Sequence, residues 1–145
     1  MAITPEHVGR SYPAAHPYLV SRAKIEEFAT AIMDNAPAYR PPVAGAEPAV
    51  APPTFAMVIA AQAWQPMFDD VELGLALRRL VHTDQRLTFR RPLREGDLVH
   101  ARTTIEKVRN RGEVDLVTIS VALLVDDEEV CTATSSLMHT REATA

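Results

Sequence analysis

The feature of this sequence best suited to chemistry is the abrupt start of an apolar helix. Pro52-Pro53-Thr54 is followed by Phe55-Ala56-Met57-Val58-Ile59-Ala60-Ala61. Two prolines and a hydroxyl residue ahead of an apolar run are a helix start signal, with Thr54 predicted as N-cap. The free amides of Thr54, Phe55 and Ala56, backed by the helix dipole, would then form a receptor for a developing carbonyl oxyanion. The five histidines are scattered: His7 and His16 near the N-terminus, His82 and His100 on the expected polar faces of strands, and His139 near the end of the last one. No pair has metal-ligand spacing, so each is expected at a surface or interface. A single cysteine, Cys131, can form neither an internal disulfide nor a ligand cluster and is expected as a buried strand residue. There is no Gly-x-Ser-x-Gly elbow and no phosphate loop. Nothing in the sequence calls for a metal or cofactor. The arginines at 78, 79, 86, 90, 91 and 94 form a local basic cluster. It is either a solvated face or a place for an acidic carrier protein.

These residues need a scaffold, and its outline follows from periodicity. Over residues 22–33, Ile25, Phe28, Ala29, Ile32 and Met33 fall on one helical face, with Ser21 placed to cap the start. Tyr18-Leu19-Val20 ahead of it suits a short strand. Residues 34–53 carry six prolines among many alanines, which predicts a long loop. Such a loop in a compact domain is commonly functional or disordered. The run from Phe55 has no polar face, so the second helix is predicted to be buried all round and to end near Trp64-Gln65-Pro66. A short helical turn is expected over Val71 to Leu80. From there the pattern alternates. Val81, Leu87 and Phe89 are expected on the inner face of one strand, and Val99 to Glu106, Val117 to Val125 and Val130 to His139 form three more. Turns at Arg94–Asp97, Asn110–Gly112 and Asp126–Glu129 are short enough to make neighbours antiparallel. An antiparallel sheet curled around one buried helix satisfies all of this, an α+β hot-dog fold in a single domain over residues 1–145.

Composition limits the partners. With 47% hydrophobic and 23% charged residues the chain is an ordinary globular one, and its net charge of −4 gives no basic footprint for nucleic acid or an anionic membrane. The first residues lack a basic stretch leading into an apolar run, and the most apolar window, Phe55 to Ala61, is too short to span a bilayer. A soluble cytoplasmic protein is expected.

Three stretches carry a family resemblance: Gly9-Arg10 with Tyr18 to Ile25; Ala51-Pro52-Pro53-Thr54-Phe55; and Leu80 to Gln85 through Phe89-Arg90-Arg91-Pro92-Leu93 to Glu95-Gly96-Asp97. Together they resemble the actinobacterial family with an N-terminal MaoC-like dehydratase domain, including A-type subunits of heteromeric (3R)-hydroxyacyl-ACP dehydratases. The resemblance spans about residues 8–141. It implies that the start of the second helix, Thr54-Phe55-Ala56, polarises a thioester carbonyl, and it places His82 beside Asp84-Gln85 as a candidate substrate contact. Complete members carry Gly-Asp-x-Asn-Pro-x-His after the first helix, whose Asp and His handle the water added to or removed from the acyl chain. The matching stretch is Met33-Asp34-Asn35-Ala36-Pro37-Ala38-Tyr39. Asp34 and Pro37 are kept; Gly has become Met33, Asn has become Ala36, and His has become Tyr39. Dehydration needs a base near neutral pKa and an acid. A tyrosine, with an ordinary pKa near 10, is a poor base at pH 7. Asp34 and Tyr39 are therefore an incomplete catalytic pair.

The readings that follow are a subunit of a heteromeric dehydratase or hydratase, a homodimeric enzyme, and a non-catalytic acyl-thioester binding module. In the first, a hot-dog partner supplies the intact Asp/His pair while this chain binds acyl chain along its Pro-rich loop and apolar helix. In the second, Asp34 works with another residue such as His82. The resemblance implies an acyl-CoA or acyl-ACP substrate and a homo- or heterodimer. A thioesterase is a further use of the same fold.

Overall fold

The computed structural model describes residues 1–45 and 47–143. Six strands form one antiparallel sheet around a short central helix. The elements are β1 (Ser11–Pro13), β2 (Tyr18–Leu19), α1 (Arg22–Ala31), α2 (Ala56–Ala63), α3 (Gln65–Asp69), β3 (Leu80–Phe89), β4 (Leu98–Arg111), β5 (Val114–Val125) and β6 (Glu128–Thr140). The strand order is β1-β4-β5-β6-β3, with β2 also pairing β4, so β3 is an edge strand. The expected hot-dog arrangement is the observed one.

The long strands alternate as the pleat requires. Val117, Ile119, Val121 and Leu123 on β5, and Cys131, Ala133 and Leu137 on β6, are buried on the concave face. Phe55, Ala56, Ile59, Ala60 and Ala63 fill the hollow from the helix side. The hydroxyl of buried Thr103 on β4 donates to the carbonyl of Ala63 at 2.9 Å. It satisfies one of the four carbonyls a helix leaves unpaired at its C-terminal end, and so ties α2 to the sheet.

Along these elements the structure differs from the sequence-based expectations in four places, each with a physical reason. First, α1 ends at Ala31, two residues early. Met33 adopts φ 57, a left-handed conformation that terminates the helix, and its side chain is 87% exposed. Second, Thr54 is not an N-cap. A 3-10 turn, Pro53–Phe55, precedes α2, no side chain caps it, and Thr54 is exposed. Third, α2 is not buried all round: Met57 and Val58 are half-buried and Ala61 and Gln62 are exposed, because the sheet wraps only one side of it. Fourth, a bulge between His82 and Asp84 adds a residue to β3 and shifts its alternation. Val81 is thereby 52% exposed and lies opposite Met138, whereas His82 lies opposite buried Leu137, on the helix side of the sheet. The expected end of the second helix is observed: α2 stops at Ala63 with Trp64 as its cap, and Pro66 sits in the first turn of α3, where Pro is tolerated.

The strain at Met33 is testable. An L-residue in the left-handed region is disfavoured relative to glycine, and this side chain contributes almost no burial. Met33→Gly is expected to raise stability by about 1 kcal/mol in urea unfolding; a loss of stability would mean that the exposed thioether has a role in the fold.

Candidate functional site

The loop after α1 is built as a turn around Asp34. Its backbone N–H donates to Ala29 O at 3.0 Å, continuing from the left-handed residue before it. Its side-chain Oδ1 accepts the Ala36 N–H at 3.1 Å, a local turn that only a short acidic or amide side chain makes well. Arg40 staples the turn to the helix: its guanidinium donates to Asp34 O at 3.1 Å and to the Thr30 hydroxyl at 2.7 Å. Arg22 donates to the Pro41 carbonyl, and Val50 N–H donates to Ala38 O at 2.9 Å. The Pro-rich loop is thus pinned near its two ends, and Pro37–Tyr39 forms a 3-10 turn with Tyr39 beside Asp34. The Tyr39 ring packs against the core. Burial first, and then the charge and hydrogen bonding of Asp34, push its phenol above the ordinary value of 10. Each cause disfavours the phenolate, so Tyr39 is a proton donor and not a base near neutrality.

The start of α2 lies beside this loop. The Phe28 ring of α1 meets Phe55 edge-on at 5.4 Å, and Tyr18 meets the other side of Phe55 at 6.2 Å. Phe55 is 1% exposed, so it positions the helix and does not meet solvent. Two of the three expected oxyanion donors are already used. Phe55 N–H donates to Pro52 O at 2.9 Å, and the Ala56 N–H is taken by Pro53 O and Thr54 O. Since Pro52 and Pro53 have no N–H, the Thr54 amide is the donor left at this end among the described residues. A cleft of about 320 Å³ opens beside it, lined by Ala51, Pro53, Phe89, Arg90, Arg91 and Pro92. Arg91 is held by both oxygens of Asp97 at 2.8 and 3.1 Å.

Thr54 belongs to the N-terminal end of α2, and Asp34 and Tyr39 to the loop that follows α1. His82 belongs to the C-terminal end: its ring stands edge-on to Trp64, at the C-terminal cap of α2, at 5.5 Å, and its Nε2 is 3.0 Å from Gln85 Oε1. The eight residues of α2 put about 12 Å between its two ends at 1.5 Å per residue. The other histidines are engaged elsewhere. His7 accepts the Thr4 N–H at 2.9 Å, and His16 and His100 line a separate cleft with Arg102. His139, expected at the surface, is 2% exposed and its Nε2 accepts the Ala76 N–H at 3.1 Å.

Two polar clusters had no signal in sequence spacing. The Tyr12 hydroxyl donates to Asp70 at 2.5 Å, alongside Arg10 at 2.8 Å, across 58 and 60 residues of chain. Burial and the Asp70 carboxylate push the Tyr12 phenol up to about 12. The second cluster centres on Asp115 and His139, which the β5–β6 register sets directly opposite each other.

The comparisons with known proteins agree with this architecture. A family model described as the FAS1-like dehydratase domain region matches residues 6–133. A UPF0336 protein of Cutibacterium acnes is 53% identical over 142 residues, covering 97% of this chain and 96% of its own. Among solved structures, a chain of the C-terminally truncated HadBC (3R-hydroxyacyl-ACP dehydratase) complex from Mycobacterium tuberculosis superposes with TM-score 0.80 at 31% identity. It covers 91% of this chain and 96% of that one. A MaoC-like dehydratase superposes with TM-score 0.81 at 28% identity, over 93% of this chain and 42% of that one.

The Asp34–Tyr39 contact predicts a titration. Removing the carboxylate charge in Asp34→Asn is expected to lower the Tyr39 pKa toward 10, seen as phenolate absorbance appearing at lower pH, with Tyr12 unmoved. An unchanged titration would show that Asp34 does not act on the phenol.

Proposed function

The chain belongs to the family of MaoC-like hot-dog dehydratases that the FAS1-like dehydratase-region model describes, and on that premise we propose that it is one subunit of a (3R)-hydroxyacyl-thioester dehydratase or enoyl hydratase of fatty-acid metabolism. In this reading it binds the acyl thioester while a partner hot-dog subunit supplies the catalytic Asp/His pair. The observation that carries it is the identity and state of Tyr39: a protonated phenol stands beside Asp34 where the chemistry needs a base. The histidines support the same reading, since none of them hydrogen-bonds Asp34 among the described residues.

In the complex, Asp34 and Tyr39 contribute hydrogen bonds to the thioester end of the substrate and no proton abstraction. The Thr54 amide receives the carbonyl oxygen. Its hydroxyl, which caps nothing, is free to face ligand. Phe55 and Ala56 hold this end of α2 rigid, and His82 contacts substrate from the far end of the helix, beside Trp64. The acyl chain lies along the apolar side of α2 that the sheet leaves partly uncovered, at Met57 and Val58. The partner adds to the free edge of β3, an outermost strand of the sheet among the described residues. The reading involves no cofactor. No described helix is long and apolar enough to cross a membrane.

Hydration of a short trans-2-enoyl-CoA, followed by loss of enoyl absorbance, tests this. The chain alone is expected to give no turnover, and adding a MaoC-like subunit with an intact Asp/His motif to give turnover above that of the partner alone. Turnover by the chain alone that is lost in Asp34→Asn would overturn the partner-dependent assignment.

A further inference from the structure

The buried polar cluster on the concave face at the open end of β5 and β6 has no part in the site above. Asp115 is 1% exposed and His139 is 2% exposed. Asp115 is saturated: Arg141 Nε reaches its two oxygens at 2.9 and 3.1 Å, Arg141 Nη2 donates at 2.5 Å, and Asn110 Nδ2 donates at 2.6 Å. The same Asn110 amide donates to Ile3 O at 3.0 Å. His139 Nδ1 sits 3.6 Å from Asp115 Oδ2, an electrostatic contact beyond hydrogen-bonding distance. Its other nitrogen, Nε2, accepts the backbone N–H of Ala76 at 3.1 Å.

That last bond fixes the state of the ring. An acceptor Nε2 carries no proton, so the neutral ring bears its proton on Nδ1, toward Asp115. A second proton has one place to go, Nε2, and there it meets the Ala76 N–H head-on. Protonation of His139 and docking of the Ala76 segment therefore exclude each other. Among the described residues this is the one side-chain bond that segment 74–79 makes to the sheet. The segment runs straight into β3 at Leu80, which pairs with His139 itself.

We propose that His139 is a pH-sensitive latch: neutral, it clasps the Ala76 amide and holds segment 74–79 and the start of β3 against the sheet; protonated, it releases them. The charged groups facing the ring are Asp115 from β5, Arg141 from the end of β6, and Arg79 from the turn before β3, which itself lies 3.4 Å from Glu142. A cleft of about 610 Å³, lined by Asp115, Arg79, Arg141 and Ala76 among others, reaches the residues that enclose the ring and gives protons a route to them. Burial lowers the His139 pKa most; Asp115 opposes that, and Arg79 and Arg141 add to it, so the ring stays below its ordinary value of 6.5. With the folded value below the unfolded one, the released segment takes up the proton first. The latch is fully closed above about pH 6.5 and opens as pH falls below it.

Hydrogen exchange of the amides in 75–81, corrected for intrinsic rate and read from pH 8 to pH 5, tests the latch. Protection is expected to fall by up to about tenfold per pH unit below 6.5, while amides in the middle of β5 hold theirs. His139→Gln offers Ala76 an acceptor that does not titrate, and is expected to abolish the pH dependence. Equal pH dependence in parent and variant would overturn the proposal. Should the variant not fold, nitrogen shifts of the parent's His139 ring decide: a proton on Nδ1 alone at pH 7, with titration below 6.5, supports the latch. A proton on Nε2, or titration at or above 6.5, refutes it.

Discussion

Everything in this molecule is arranged around the need to bury α2. Residues Ala56 to Ala63 include one strongly polar side chain, Gln62, and the helix is only eight residues long. A helix of that length has little stability of its own in water, so its existence depends on packing. The sheet supplies it. Strands of 12 to 14 residues twist enough to curl around the helix, and β-branched and aliphatic residues on their concave face meet it. The Thr103 hydroxyl then takes up a carbonyl that would otherwise be buried near the helix end without a partner. Shape and hydrogen bonding thus fix both the position of α2 and where its N-terminus points.

That position decides what can become a site. Pro52 and Pro53 bring the chain into α2 through a 3-10 turn, and the price of that rigid entry is that the Phe55 and Ala56 amides are consumed within the turn. Phe55 is locked between Tyr18 and Phe28. It connects the start of β2, the body of α1 and the start of α2 in one aromatic cluster. The Asp34 turn hangs from that α1, and Arg40 and Arg22 pin the Pro-rich loop to it. The site therefore inherits its rigidity from the core, although most of its residues lie on a loop.

Much of this was legible in the sequence because it depends on local rules. The period-2 strands, the proline-rich loop, the apolar helix and the turn residues each announce themselves within a few positions. Several misreadings came from non-local causes. No spacing rule announces the bulge at Thr83, which puts exposed His82 on the face toward Trp64 and Val81 on the other. His139 looked like a strand-end surface residue, since nothing near it in sequence shows that Asp115 and Ala76 close over it. Thr54 has the right type for a cap, but the two prolines before it extend the turn and leave its hydroxyl without that role. The Asp34–Tyr39 contact became visible through a family motif and not through the chemistry of the pair itself.

The departures from that motif are not equivalent, and their differences bear on function. At the glycine position Met33 adopts a left-handed backbone, φ 57, at a conformational cost. Asp34 keeps the turn, through its bond to the Ala36 amide. Pro37 keeps the 3-10 turn that returns the chain. The Asn and His positions have changed their chemistry, to Ala36 and Tyr39, and the phenol at 39 packs on the core beside Asp34. Loss of a whole site would free the loop from these constraints. Here Asp34 holds its turn, and position 39 sits beside it with a phenol that donates protons near neutrality. A loop of fixed shape is what a surface that positions substrate requires.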